Sequence, residues 1–176
     1  LIPDLVVPMS EHRTFKYFKE ESLKKYAEQY GWTLIDNSNR KDMFMDMIRQ
    51  MDMSYSYKPV LVKAILLYAD NKGRVKLDDI VSYFQSYYEG RRAADLVVEK
   101  KNSIFAKGGY TDKEAERNIL ANPFKRFEDM QMLRHTKTLG TVQIDESVWK
   151  RLTKAEFAEI ERICDEKLES YYSRLK

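Results

Sequence analysis

Cysteine and histidine are scarce in this chain, which has one cysteine and two histidines among 176 residues. The single cysteine, Cys164, excludes an internal disulfide and is typical of a protein from a reducing compartment, so we expect a cytoplasmic location. Since His12 and His135 are the only imidazoles, the sequence favours neither a zinc site nor a cysteine–histidine nucleophile. We therefore expect no metal and no cofactor in this chain.

Long apolar runs, phosphate-binding loops and a large excess of charge are also missing. No apolar run approaches the ~20 residues that a membrane-spanning helix needs, so we expect no membrane span. No glycine-rich loop ends in Gly-Lys-Ser/Thr, and Lys107-Gly108-Gly109 does not replace one. The net charge of +3 is small for a dedicated nucleic-acid-binding protein, so any basic surface must be local. The first residues lack an initiator Met and a basic stretch, so we expect no signal peptide and interpret the chain as part of a longer protein.

The composition that remains is typical of a helix-rich soluble protein. Apolar residues make up 43% of the chain and charged residues 34%, which excludes an intrinsically disordered chain. A chain of this length suits one domain or two small ones. The acidic pairs Glu20-Glu21 and Asp78-Asp79 lie at the starts of predicted helices, where they complement the helix dipole. This structural role makes them poor candidates for catalysis, so we do not expect this chain to be an enzyme in its own right.

The most apolar segment, Tyr57–Asp70, predicts the central helix of the protein. Pro59 suits the first helical turn, where its missing N–H would have no partner anyway. Apolar residues recur at the three-and-four spacing of one helix face. Further apolar residues beside them widen this face until little of the helix surface is left for water. The face that we expect to be apolar consists of Val60, Leu61, Ala64, Ile65, Leu67 and Tyr68.

The elements predicted after this helix follow the order of a winged helix-turn-helix. A short strand and two helices lead to a hairpin, and Thr111 with Glu114 forms the capping-box pattern that starts the second of these helices. The predicted ranges are Arg74–Leu77, Asp78–Glu89, Thr111–Pro123, Met130–Arg134 and Gly140–Ile144. We therefore predict a mainly α fold, with a winged helix-turn-helix-like core, a small β-hairpin and flanking helices.

The flanking segments predict further helices and three parts of the chain. We expect a linker or edge strand in residues 1–10, helices in Glu20–Tyr30, Arg40–Met53 and Thr153–Lys176, and β-prone runs at Trp32–Ile35 and Leu96–Val98. The insertion 90–110 is longer than most ordered connections, so we expect it to be functional or mobile. The three predicted parts are an N-terminal linker and helical subdomain (1–54), a winged-helix-like domain (55–147) and a C-terminal helix packed on it (148–176).

Five methionines crowd the predicted helix Arg40–Met53, at positions 43, 45, 47, 51 and 53. Methionine fills irregular gaps in protein cores and also lines adaptable binding surfaces. Because Phe44, Met47, Ile48 and Met51 share one helical face, core packing is the favoured interpretation. A docking face for a partner protein is the alternative.

Basic and polar side chains follow the third helix and the hairpin of the predicted core. In a winged helix-turn-helix, these two elements enter the major groove and touch the backbone beside it. The candidate nucleic-acid-binding residues are Lys113, Arg117, Asn118, Lys125, Arg126, Arg134, His135 and Lys137. Three carboxylates on the same helix weaken the local positive field, so contact with DNA and docking to protein alone both stay open.

Three stretches carry a resemblance to a known family. Tyr55–Leu61, Asn122–Glu128 and a closing helix that follows Trp149 and ends in Tyr171-Tyr172 resemble the C-terminal region of bacterial DEAD/DEAH-box helicases. These are the superfamily 2 proteins related to the helicase subunits of type III restriction enzymes. The resemblance covers roughly residues 55 to 172, and none of its motifs is catalytic.

This resemblance implies that the chain is an accessory domain of an ATP-dependent nucleic-acid motor in a restriction-type system. The ATP-binding lysine and the acidic motif would lie in an upstream motor domain of the same chain, which would be one partner, with DNA as the other. No active-site residue is carried over onto the present sequence. An assembly domain that contacts only protein remains the competing expectation.

Overall fold

A computed structural model describes residues 1–10 and 13–175, so Glu11, His12 and Lys176 lie outside the described residues. The chain divides into two units, Leu1–Asn39 and Arg40–Lys176. The boundary expected between residues 54 and 55 therefore lies inside the second unit. The expected closing part, 148–176, belongs to the same unit as the segment before it.

The first unit combines a β-hairpin with one helix. Strands β1 (Leu5–Ser10) and β2 (Arg13–Tyr17) pair antiparallel, so the edge strand expected in residues 1–10 is one arm of a hairpin. Helix α1 (Glu20–Tyr30) has the predicted bounds and ends at Gly31, whose φ of 65° is left-handed. The expected β-prone run at 32–35 forms no strand, because the Trp32 ring stacks on Tyr30, with 5.0 Å between their centroids.

The second unit is mainly α, as predicted. Its helices are α2 (Arg40–Arg49), α3 (Tyr57–Tyr68), α4 (Leu77–Ala93), α5 (Ile104–Lys107), α6 (Asp112–Ile119), α7 (Lys125–Asp129), α8 (Glu146–Trp149) and α9 (Lys154–Ser173). Its strands are β3 (Arg74–Lys76), β4 (Leu133–Thr136) and β5 (Thr141–Ile144). No helix within residues 1–10 and 13–175 is both long enough and apolar enough to cross a lipid bilayer.

Helix α3 lies at the centre of this unit, between α4 and α9. Its buried residues are Tyr57, Pro59, Val60, Leu61, Val62, Ala64 and Ile65. The prediction of a central helix is confirmed for its first nine residues but is wrong for its end. The helix stops at Tyr68, and the side chains of Leu67 and Tyr68 are 62% and 45% exposed. The last turn emerges from the core because the chain must leave α3 and turn back towards β3.

Helix α6 does not end near Asn122-Pro123, as the sequence suggested. A π-helical turn at Leu120–Phe124 joins it directly to α7. The wider π turn accommodates the ring and the missing N–H of Pro123, which would break a regular α-helix. Phe124, at the end of the π turn, and Phe127, on α7, are both buried. Their burial stabilises the continued helix.

The three strands form one antiparallel sheet in the order β3-β5-β4. The first hairpin strand begins at Leu133, later than the predicted Met130. Gln131 has a φ of 56°, and the N–H of Met132 bonds back to the carbonyl of Phe127, so residues 130–132 turn out of α7. The core face of the sheet carries Val75 and Val142, which lie opposite each other.

The insertion 90–110 contributes three buried residues, Glu99, Ser103 and Phe105, and does not contain the expected strand. Helix α4 runs four residues beyond the predicted Glu89, and Leu96 and Val97 are exposed without strand pairing. Phe105 is fully buried and stacks on Tyr88, with ring centroids 4.6 Å apart. The packing of this aromatic side chain thus anchors the insertion to α4.

Candidate nucleic-acid interface

One row of polar side chains crosses the outer face of the sheet. Arg74 on β3 and Arg134 on β4 both lie opposite Gln143 on the central strand β5, so the three side chains share a face. Arg134 Nη2 donates to Gln143 Oε1 at 3.2 Å, and Gln143 Nε2 donates to the carbonyl of Lys72 at 3.1 Å. Gln143 therefore orients the Arg134 guanidinium from one side and leaves its other donors available.

A second row on the same face lies two residues along each strand. Lys76, Thr141 and Thr136 are aligned across the sheet, and Lys76 is exposed. Among the described residues, neither Lys76 nor Arg134 has a carboxylate within ion-pair distance, whereas Arg74 pairs with Asp70 at 2.9 Å. The face therefore carries three cations and one paired carboxylate.

A groove of about 570 Å³ separates the hairpin from α6 and the start of α4. His135 and Lys137 line it, so the structure brings these two predicted residues together. His135 is half-buried on the core side of the sheet, and its ring meets the Phe124 ring edge-on at 6.1 Å. Asp78 and Glu116 also line the groove, which gives it a mixed charge.

Helix α6 presents the predicted Lys113 and Arg117 to solvent, one turn apart. Arg117 Nε donates to the carbonyl of Lys113 at 3.3 Å. The capping box predicted from the sequence is confirmed, because Thr111 Oγ1 accepts from the N–H of Glu114 and Glu114 Oε2 accepts from the N–H of Thr111. The backbone N–H of Thr111 lowers the pKa of Glu114, which therefore stays ionised beside the two cations. Asn118 differs from these residues, since its Oδ1 is buried and has no hydrogen-bond partner in residues 1–10 and 13–175.

The remaining two predicted residues lie beyond the π turn. Lys125 Nζ is held by Asp129 at 2.6 Å and Glu128 at 3.3 Å. Arg126 lines a different groove, together with Asp52. The eight predicted residues thus do not form one array: the hairpin, α6 and α7 present them to different surroundings.

The groove that contains Arg126 is rich in methionine. It has a volume of about 260 Å³ and lies between α2, α7 and the segment between α2 and α3. Its lining includes Met43, Met47, Met51, Phe127 and Met130. Of the five methionines predicted as core, Met45 and Met51 are buried, and the other three are half-buried.

A second polar cluster lies inside the protein, around the carboxylate of Glu99. This side chain is 5% exposed, and its Oε2 accepts from the backbone N–H of Ser56 at 2.8 Å and from Ser56 Oγ at 2.5 Å. Its Oε1 accepts from Tyr171 Oη and from the N–H of Lys100. Burial raises the pKa of Tyr171, so its hydroxyl remains a donor at neutral pH. The cluster joins the insertion to α3 and α9.

Within residues 1–10 and 13–175, no group of three or more His, Cys, Asp or Glu side chains is placed to hold a metal ion. Cys164 is fully buried, and burial raises the pKa of its thiol to about 12. A thiol in this environment is not a nucleophile at neutral pH.

Arg74 and Lys76 were missed among the candidate residues, although the sequence contained a signal for them. The alternation Arg74-Val75-Lys76 places both basic side chains on the face opposite the buried Val75. The signal was weak because a strand of three residues has only one full alternation.

Comparisons with known proteins add no assignment, since the chain matches no protein-family model, no curated protein and no solved structure.

Proposed function

We propose that this chain is a winged-helix-type accessory domain that binds nucleic acid without catalysing a reaction. The order α3, β3, α4, α6, β4, β5 and the sheet order β3-β5-β4 support this assignment. In such a domain, α6 corresponds to the helix that faces the major groove, and the β4–β5 hairpin corresponds to the wing.

The observation that carries the proposal is a set of exposed cations, two on the outer face of the sheet and two on α6. Arg134, Lys76, Lys113 and Arg117 are all exposed, and no described carboxylate lies within ion-pair distance of any of them. Neutralisation of phosphates by such cations drives non-specific binding, because counterions are released from the nucleic acid. Unpaired cations of this kind can contact phosphates locally, although the net charge of the chain is only +3.

The resemblance to the C-terminal region of DEAD/DEAH-box helicases implies that this domain would belong to a larger motor. An upstream motor domain of the same chain would bind and hydrolyse ATP, and the present domain would guide DNA or fasten the motor to it. Two of the three stretches that carry the resemblance meet in the buried cluster, where Ser56 and Tyr171 both contact Glu99. This cluster would hold the accessory domain rigid against the forces of translocation.

Docking to protein is the second candidate function, and the methionine-rich groove favours it. Met43, Met47 and Met130 line that groove and are only half-buried. Flexible thioether side chains adapt to different apolar partners. In this alternative, the chain would be an assembly domain without contact to nucleic acid.

The test is a titration of the purified chain into fluorescently labelled duplex DNA at low salt, followed by anisotropy. We expect weak binding with little sequence preference, because non-specific Kd values are about 10⁻⁴–10⁻⁶ M at physiological salt. The double variant Arg117→Glu/Arg134→Glu, with one change on α6 and one on the sheet, should abolish the signal.

The matched control is Lys154→Glu/Arg162→Glu, which changes the net charge equally on α9, where both residues are exposed. It should leave binding unchanged. Absence of binding by the unmodified chain at low salt would reject the nucleic-acid function and leave the docking function. Equal loss in both double variants would mean that net charge alone drives the interaction.

A further inference from the structure

We infer that the outer face of the β3-β5-β4 sheet, and not helix α6, makes the main contacts with the phosphates of duplex nucleic acid. The cations of this phosphate-contact face are Arg74, Lys76 and Arg134. This inference rests on the proposed function and assigns the binding to one of its two candidate surfaces.

The balance of charge separates the two surfaces. Helix α6 has two cations, Lys113 and Arg117, against three carboxylates, Asp112, Glu114 and Glu116. The sheet face has three cations. Of the carboxylates beside it, Asp70 is occupied by Arg74 and by the backbone N–H groups of Arg74 and Lys72, Glu146 is paired with Lys150, and Asp78 lines the groove next to Lys76. Carboxylates therefore outnumber cations by one on α6, whereas the three cations of the sheet outnumber Asp70 and Asp78 by one.

The geometry of the sheet also suits a phosphate backbone. Neighbouring strands are about 4.8 Å apart, so Arg74 and Arg134 lie about 10 Å apart on the two outer strands. Lys76 lies about 7 Å along β3 from Arg74, on the same face. The three long side chains can therefore reach separate phosphates of one duplex, while Thr136 and Thr141 supply hydroxyl donors between them.

The sheet face is also rigid, in contrast to an array of free surface lysines. Gln143 holds Arg134 through one guanidinium nitrogen and is itself anchored to the carbonyl of Lys72. Val75 and Val142, on the opposite face, are almost completely buried, so the strands that bear the cations are fixed on the core. Less side-chain entropy is then lost when a phosphate binds.

The experiment compares three double variants that each remove two positive charges. They are Arg74→Gln/Arg134→Gln on the sheet, Lys113→Gln/Arg117→Gln on α6, and Lys154→Gln/Arg162→Gln on α9 as a remote control. In the control, Arg162 pairs with a carboxylate four residues away, Glu166, just as Arg74 pairs with Asp70. Each protein is titrated into the same duplex at several salt concentrations, and circular dichroism melting checks that it folds.

We expect the sheet variant to lose about tenfold in affinity for each phosphate contact removed at 50 mM salt, and its slope of log K against log salt to become shallower by about 0.9 per contact. The α6 and α9 variants should retain the slope of the unmodified chain. A second sheet variant, Lys76→Gln/Arg134→Gln, leaves the Arg74–Asp70 pair intact. It should show the same loss, which keeps the test valid if the first variant melts early.

Three results would overturn the inference. If the α6 variant loses as much affinity as the sheet variants or more, the sheet face is not the main contact, although the proposed function stands. If all three double variants weaken equally, binding follows net charge and no face is selected. Absence of binding by the unmodified chain would reject the proposed function and this inference together.

Discussion

The carboxylate of Glu99 and the backbone N–H of Ser56 are joined by a hydrogen bond of 2.8 Å across 43 residues of sequence. Ser56 is the N-cap residue of α3, the most buried helix of the protein. The bond therefore places a buried negative charge at the positive end of that helix dipole. Sequence patterns gave no indication of this contact, because Glu99 lies in an insertion without periodicity.

Replacement of Glu99 by Gln should destabilise the protein by about 2–4 kcal/mol, since hydrogen bonds to charged groups contribute about 1.5–3 kcal/mol each. Both oxygens of the Glu99 carboxylate accept hydrogen bonds, one from the N–H of Ser56 and the other from the N–H of Lys100 and the hydroxyl of Tyr171. The amide of Gln has only one acceptor oxygen, so it cannot accept all of them. Urea unfolding measures the change. The exposed Glu169 on α9 provides the matched control, and Glu169→Gln should change stability by less than about 0.5 kcal/mol. Equal effects of the two substitutions would show that Glu99 is not a structural anchor.

Helix α3 allows the same truncation to be made in the core and at the surface. Leu61 is fully buried and Leu67 is 62% exposed. Leu61→Ala should lower the free energy of unfolding by about 2–5 kcal/mol, the range for deletion of a buried aliphatic side chain. Leu67→Ala should lower it by less than about 1 kcal/mol. A loss below about 1 kcal/mol for Leu61→Ala would contradict the central position of α3.

The pair formed by Lys41 on α2 and Glu156 on α9 should make stability depend on pH in acid. Their side chains meet at 2.6 Å, and the hydrogen bond from Lys41 lowers the pKa of Glu156 from 4.5 to about 2. Because the pKa is lower in the folded protein, the stabilisation is complete above pH 4.5 and disappears as the pH falls towards 2. The difference in unfolding free energy between the protein and Glu156→Gln, measured from pH 6 to pH 2, should shrink across this window. A difference that stays constant would mean that the ion pair contributes nothing.

The purified chain should hydrolyse neither ATP nor DNA. The prediction rests on the missing phosphate loop in the sequence and on the burial of Cys164. Phosphate release and plasmid nicking assays with added Mg²⁺ measure the two activities. Nicking that persists at constant specific activity through repeated purification would refute the prediction.

Much of the fold was predictable from residues that act locally. The predicted capping box at Thr111 sets the start of α6 and is confirmed, and the structure shows a second one at Thr153, at the start of α9. Helix α1 was predicted to the residue because Gly31 ends it in the left-handed conformation. Local signals of this kind need no knowledge of tertiary contacts.

The errors in the predicted fold arose where tertiary contacts decide. The chain stays helical through Pro123 because Phe124 and Phe127, which follow it, are buried in the core. Local sequence rules do not include this tertiary burial. Likewise, Phe105 orders an insertion that looked irregular.

For the candidate site, sequence spacing placed Arg134 and Lys137 on the hairpin correctly. It could not show that Arg74 joins the sheet face, because that depends on strand pairing across the fold. The pairing of Lys125 with Asp129 is local, since the two residues are four apart on one helix, and this spacing was a signal that the sequence contained.

The most direct test of the nucleic-acid function is an NMR titration of the ¹⁵N-labelled chain with a short duplex at low salt. We expect the amide signals of β3, β4 and β5 to shift, with the largest changes at Arg74, Lys76 and Arg134, and to return to their free positions when salt is raised. The residues that line the groove between α2 and α9, such as Arg49 and Glu159, should not move. If no amide shifts at low salt, or if the shifts are confined to that groove, the proposed nucleic-acid interface is wrong.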